Sequence, residues 1–307
     1  MKAKDYINQK GVRPMNIKYT RMDRMILTLN NIFLFLAVLV VLVPLVYVVL
    51  ASFMDPTVLL NKGISFNLSD WSLKGYKLIL GNDAMLKGFI NSVLYSVGFA
   101  VVTVVVSLFA AYPLSVNGFV GKNFFMTMFI ITMFFSGGLI PTYLLVKDLG
   151  MLNTIWAIIL PGAINVWNII LARTYFKGIP YELHEAAKVD GASDFLIFFK
   201  IVLPLSKPII FVLAMYAFVG QWNSYFDAMI YLDDPNLHPL QLVLRSILIQ
   251  NSTDPGMISD QLAMAELKKL SEMIKYSSIV ISSLPLIVMY PFFQKYFEKG
   301  VMVGSLK

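Results

Sequence analysis

Six long stretches of this chain contain no Asp, Glu, Lys, Arg or His: Met25–Met54, Phe89–Gly121, Phe124–Val146, Leu152–Ala172, Pro208–Phe226 and Tyr276–Phe293. An α-helix needs about 20 apolar residues to cross roughly 30 Å of hydrocarbon. A transmembrane barrel would show alternating segments of about 10 residues instead. The pattern predicts an all-α, polytopic membrane protein with six transmembrane helices. Composition points the same way. Hydrophobic residues make up 58% and charged residues 14%, and mean hydropathy is +0.71. A soluble domain carries about a quarter charged residues, and this chain in water would leave large apolar patches uncovered.

Lys/Arg asymmetry orients the spans. Lys2, Lys4, Lys10, Arg13, Lys18, Arg21 and Arg24 precede the first one. Lys122, Arg173, Lys177, Lys188, Lys200 and Lys207 lie in the even-numbered connections, and Lys295, Lys299 and Lys307 in the tail. Both termini are therefore expected on the cytoplasmic side of a bacterial cell membrane. The last outer segment runs against the rule with Lys268, Lys269 and Lys275, partly offset by Asp260, Glu266 and Glu272.

Several function classes drop out. A net charge of +7 can signal nucleic-acid binding, but these basic residues flank spans rather than forming one interleaved patch. They read as retention signals at an anionic leaflet. Val49 and Ala51 loosely imitate a signal-peptide cleavage site, yet the preceding apolar run exceeds the usual 7–15 residues or so. With no Cys there is neither a disulfide nor a Cys metal site. No phosphate-cradling Gly-x-x-x-x-Gly-Lys-[Ser/Thr] loop is present. His184 and His238 are the only histidines, so no catalytic residue and no metal site is expected. His184 reads as a surface residue of an inner helix, His238 as an outer-loop residue.

The expected organisation is a lead over 1–24, a six-helix domain over 25–297 with a large inner segment at 173–207, and a cytoplasmic tail over 298–307. The first outer segment, roughly Asp55–Lys87, and the last, Asp233–Lys275, read as polar loops. Pro44, Gly137-Gly138, Pro141, Pro161-Gly162, Gly220, Pro285 and Pro291 interrupt the spans. Breakers at membrane depth free backbone groups that neighbouring helices or water must satisfy. They suit a bundle around a pathway, although Gly and Pro are also simply commoner in transmembrane helices.

The inner segment is the most informative polar stretch. Pro180 can open a helix over Tyr181–Asp190. Ala186-Ala187 gives a small flat face, and Asp190-Gly191 is turn chemistry. Helical spacing resumes over Asp194–Val202, and Pro204 and Pro208 punctuate the entry to the fifth span. Such a helix–turn–helix either docks a partner at the membrane face or lies there as an amphipathic interfacial loop.

The run Glu185-Ala186-Ala187, then Gly191, then Ile201 and Leu203-Pro204 resembles the EAA motif of permease subunits of ATP-binding-cassette importers. Ser136-Gly137-Gly138-Leu139-Ile140-Pro141-Thr142-Tyr143, Leu149-Gly150-Met151-Leu152-Asn153-Thr154, Gln221-Trp222-Asn223 and Phe297-Glu298-Lys299-Gly300 look like its carbohydrate-uptake branch, related to maltose permease subunits and lipoprotein-linked oligosaccharide permeases. The resemblance implies the six-helix type I importer fold with a cytoplasmic coupling helix. In that picture Glu185 makes a charged contact with an ATPase subunit. Ala186 and Ala187 permit close approach, and Asp190 and Gly191 make the turn. It also implies a second homologous permease, two cytoplasmic ATPase subunits holding ATP and Mg, an extracytoplasmic solute-binding protein, and no cofactor in this chain. The stretch Gly300–Lys307 resembles a tail that reaches towards the ATPases.

The substrate pathway is expected at Asn165, Trp167 and Asn168 in the fourth span and Gln221, Trp222, Asn223 and Tyr225 around the end of the fifth. Amides pair with sugar hydroxyls as donors and acceptors. Aromatic faces suit the C–H side of a pyranose, and a pathway without formal charge suits neutral polyhydroxylated solutes. The alternative is that the Trp side chains form interfacial belts and the amides knit helices. A proton- or sodium-coupled transporter would need ionisable groups within the spans; the nearest, Asp227, lies just past the fifth. An importer of the same architecture for a peptide or phosphonate is the remaining rival.

Overall fold

The computed structural model describes residues 20–250 and 261–305, with side chains left out at 250, 261–268, 270, 272 and from 295 onward. Among the described residues the regular secondary structure is helical apart from one antiparallel bridge between Met54 and Trp71. The chain divides into two units, 1–51 and 52–307.

The first unit contains helix α1 (Arg21–Ser52). Thr20 and Asp23 open it reciprocally. The Asp23 carboxylate accepts from the Thr20 amide at 2.8 Å, and Thr20 Oγ1 accepts from the Asp23 amide at 3.2 Å. Two of the free amides at a helix start are thereby satisfied.

The second unit begins with α2 (Pro56–Lys62) and α3 (Lys74–Leu80), so the first outer segment is partly helical. Its spine is α4 (Asp83–Ser115), 33 residues long and thus roughly 50 Å. Asn82 caps it, accepting from the Met85 amide at 3.1 Å. Ser92, Ser96, Ala100, Thr103, Ser107 and Ala111 make a buried small-residue face. Such a face lets neighbouring helices approach closely in lipid, where little hydrophobic force pulls helices together.

Two predicted spans are not continuous helices. Helices α5 (Lys122–Phe134) and α6 (Leu139–Asp148) meet at 111° across 135–138. Phe135 is extended there, and Gly138 takes φ +86°, which a side chain would resist. Pro141, in the first turn of α6, favours restarting a helix. The stretch Leu152–Ala172 folds as a single turn, α7 (Trp156–Ile159), and then α8 (Val166–Lys177). Pro161-Gly162 interrupts it, and Asn165 starts α8 by accepting from the Asn168 amide at 3.2 Å. Among the described residues three helical stretches are long and apolar enough to cross a membrane, and up to five if each sharply bent pair counts as one span.

The inner segment folds as α9 (Glu182–Val189), α10 (Asp194–Ile197) and a π-helical stretch Phe198–Val202. It bends by 78° into α11 (Lys207–Trp222). Then come α12 (Phe226–Tyr231), a turn at Pro235–Leu237, α13 (Leu240–Gln250) and the long α14 (Gln261–Ser305). The last outer segment is therefore no polar loop. Leu240, Val243 and Leu244 of α13 are buried with Met85, Phe218 and Trp222, and Ile247 extends that face at helical spacing. The Leu240 amide donates to Ser92 Oγ at 2.8 Å, and Tyr95 donates to the Leu237 carbonyl at 2.8 Å. Residues 251–260 of that segment, including Asn251–Met257, lie outside the described residues, as do 1–19 of the lead and the last two residues of the tail.

Candidate functional site

The inner segment is built around Tyr112, near the end of α4. Its ring lies 4.8 Å from Phe198 and 6.4 Å, edge-on, from Phe176. Its hydroxyl donates to the Asp194 carbonyl at 3.3 Å. Arg173 Nε donates to the Leu114 carbonyl at 3.0 Å and Lys122 Nζ to the Val116 carbonyl at 3.2 Å. The carbonyls that the end of α4 leaves open are thus used to hold α8 and the start of α5.

Helix α9 ends in a Schellman turn. The Ala192 amide donates to the Ala187 carbonyl at 2.9 Å and the Gly191 amide to the Lys188 carbonyl at 3.0 Å. Gly191 takes φ +80°, as the position after such a helix end requires. Ser193 then caps α10, accepting from the Leu196 amide at 3.3 Å. Lys188 and Asp194 pair at 3.4 Å across the turn; exposed as they are, the pair adds little stability. Glu182 and Glu185 sit in the first turn of α9, where the helix dipole favours negative charge. Of the predicted coupling residues, Glu185, Ala186, Asp190 and Gly191 are exposed and Ala187 is half-buried. Leu183, Val189 and Phe195 add exposed apolar surface around them.

His184 is not on the surface. It is 8% exposed and is the one buried residue of α9. It stacks on Tyr112 at 6.2 Å and on Tyr181 at 5.8 Å. Its Nδ1 is sealed from solvent without a hydrogen-bond partner. Burial lowers its pKa below 6.5; Lys188 lowers it further, and Asp194 acts the other way. The half-buried Ala187 lies one turn along the same helix face. His238 sits in the turn before α13, its Nε2 3.2 Å from the Leu232 carbonyl.

A second feature is a cavity of about 520 Å³ formed with α4, α8 and α11. Asn165, Trp167, Asn168 and Gln221 all line it. Trp222, Asn223 and Tyr225 do not. Trp222 is a core residue, 1% exposed, stacked on Phe218 at 5.9 Å and donating from Nε1 to the Ser282 carbonyl at 2.9 Å. Residues 221 and 222 differ by about 100° around a helix, so one faces the cavity and the other α14. Asn223 Nδ2 donates to the Val219 carbonyl at 2.9 Å, closing α11. The Tyr225 ring lies 5.0 Å beneath the Arg245 guanidinium.

The cavity is also walled by Phe99, Thr103, Tyr216 and Ser224, and by Asp227, the ionisable group just past the fifth span. Thr103 lies mid-way along an apolar helix. Its place on the small polar face at helical spacing with Ser96 and Ser107 was the available signal. Asp227 is accessible at the cavity, yet enough protein surrounds it that desolvation raises its carboxyl pKa. The arrangement offers amides, hydroxyls and aromatic faces in one concave space.

Comparison with known proteins places this architecture. Residues 103–303 match the family model for the binding-protein-dependent transport system inner membrane component. The polygalacturonan/rhamnogalacturonan transport system permease protein YtcP of Bacillus subtilis is 40% identical over 90% of this chain and 96% of its own length. The arabinooligosaccharides transport system permease protein AraQ of Halalkalibacterium halodurans is 30% identical over 90% of this chain and 94% of its own. A chain in the crystal structure of a bacterial ABC transporter involved in the import of the acidic polysaccharide alginate superposes with a TM-score of 0.80 at 31% identity, over 91% of this chain and 99% of that one. The chain belongs to the family of binding-protein-dependent transport system inner membrane components.

Proposed function

We propose that this chain is the membrane permease subunit of an ATP-driven importer of oligosaccharides. Its family, and relatives named for oligosaccharide and polysaccharide transport, support that reading. It works with an extracytoplasmic solute-binding protein, a second homologous permease and two cytoplasmic ATPase subunits that hold the ATP and Mg. Both termini and the inner segment face the cytoplasm. Two of the predicted spans are broken rather than straight, one at Gly138 and the other at Pro161-Gly162.

The observation that carries the mechanism is the α9–turn–α10 element. It presents Glu185, Ala186 and Gly191 outward while His184 roots it on Tyr112. An ATPase subunit docked on that face moves α9 when the nucleotide-bound pair closes, and the His184–Tyr112 stack passes the movement to α4. Helix α4 also walls the cavity, through Phe99 and Thr103. A rigid-body switch between two arrangements then opens the cavity to alternate sides. Asn165, Trp167, Asn168 and Gln221 contact the passing sugar, while Trp222 holds the helix frame. The test is ATP-dependent uptake of a labelled oligosaccharide by the assembled complex in proteoliposomes. Uptake that persists without ATP would overturn the reading.

A further inference from the structure

The cavity carries a charge asymmetry that transport as such does not require. Among the described residues that line it, Asp227 supplies the only formal charge, and no Lys, Arg or His joins it. Arg245, on the neighbouring α13, is engaged elsewhere: its guanidinium lies over the Tyr225 ring and contacts Met229 Sδ at 2.7 Å. Desolvation is the cause acting on the Asp227 carboxyl, and no cation contributes. Thr103, 1% exposed, also lines the space, with its Oγ1 buried and unpartnered. That hydroxyl is closed to solvent and so adds no open hydrogen-bonding position to the cavity.

These groups match one kind of ligand. A sugar hydroxyl donates to the Asp227 carboxylate and accepts from the Gln221 amide. A uronate brings its own carboxylate beside the one the cavity already holds, and the lining offers no cation to pair it. Two carboxylates sharing such a site cannot both stay ionised without cost. We infer that the cavity selects uncharged oligosaccharides over uronates and that Asp227 is the residue setting this preference. The inference rests on the cavity being the sugar pathway.

The test uses the complete importer with a reporter Ser224→Cys, since the chain has no other cysteine. Maleimide labelling of this chain is read by mass while arabinotriose or trigalacturonate is titrated in. Arabinotriose should protect at a concentration roughly tenfold below trigalacturonate, as expected for like-charge juxtaposition. Asp227→Asn should close that gap, and Tyr216→Cys should give the same order. Equal protection by both sugars with Asp227 in place would overturn the charge preference alone. A gap that survives Asp227→Asn would remove Asp227 from the role. Protection by neither sugar at either reporter would overturn the pathway reading and this inference with it.

Discussion

The His184 imidazole lies nearly parallel to the Tyr112 phenol, 20° between planes and 6.2 Å between centroids. This contact joins the surface helix α9 to the 33-residue α4. Truncation to His184→Ala should leave a void and cost about 2 kcal/mol locally. His184→Phe keeps a ring to stack and deletes the sealed, unpartnered Nδ1. In reconstituted complexes, His184→Ala should assemble yet lose substrate-stimulated ATPase activity, with His184→Phe restoring it. Equal stimulation in wild type and His184→Ala would show that the stack transmits nothing.

The same residue gives a pH dependence of known sign. Burial holds His184 neutral by lowering its pKa below 6.5. As pH falls past that ordinary value, the unfolded or undocked segment takes up a proton before the folded one does. Stability from the docked helix is thus fully present above about pH 6.5 and declines towards the depressed folded value. Thermal unfolding between about pH 5 and 8 should show wild type losing more on the acid side than His184→Phe. Parallel curves would contradict this.

Coupling at the exposed face makes a separate prediction. Gly191 needs φ +80° to close the Schellman turn. Gly191→Ala should cost about 1–2 kcal/mol, and Gly191→Pro more, because Pro fixes φ near −65°. Glu185→Lys reverses a charge on the face proposed to meet the ATPase. Both Glu185→Lys and Gly191→Pro should insert in the membrane but show no substrate-stimulated hydrolysis. Normal stimulation in both would sink the coupling role.

The chemistry of the inner segment was legible because it is local. Ala186-Ala187 and Asp190-Gly191 specify a small face and a turn whatever surrounds them, and the structure contains that helix–turn–helix. The long apolar α4 was legible for the same reason. What depended on distant partners was not. His184 looked exposed because Tyr112 is 72 positions away in the chain. The face of α13 that packs on α4 was hidden inside a segment judged polar on average. Residues 135–138 and 160–165 read as span interior because absence of charge says nothing about continuity. The backbone there turns on Gly138, Pro161 and Asn165. The neighbours Gln221 and Trp222 were paired by sequence and part company on the helix.

That separation can be measured. Trp222→Ala removes a fully buried ring and its bond to the Ser282 carbonyl, which should cost about 3–5 kcal/mol and lower the yield of assembled complex. Trp167 is 57% exposed at the cavity, so Trp167→Ala should leave assembly and thermal stability close to wild type while slowing sugar uptake. The pair is informative together. Loss of assembly in Trp167→Ala, or full stability in Trp222→Ala, would show that cavity and core have been assigned to the wrong residues.

Orientation yields the final prediction. Lys188 lies in the inner turn element and is 51% exposed at its side chain, while Ser69 sits in the exposed turn between α2 and α3. Since the chain has no native cysteine, single replacements report without background from this subunit. Lys188→Cys should be shielded from a membrane-impermeant thiol reagent in intact cells and labelled after permeabilisation. Ser69→Cys should label in both. The reasoning is that Lys122, Arg173, Lys177, Lys188, Lys200 and Lys207 share one side of the membrane, where positive charge is retained. Labelling of Lys188→Cys from outside would invert the topology, and an ATPase confined to the cytoplasm could then not reach α9.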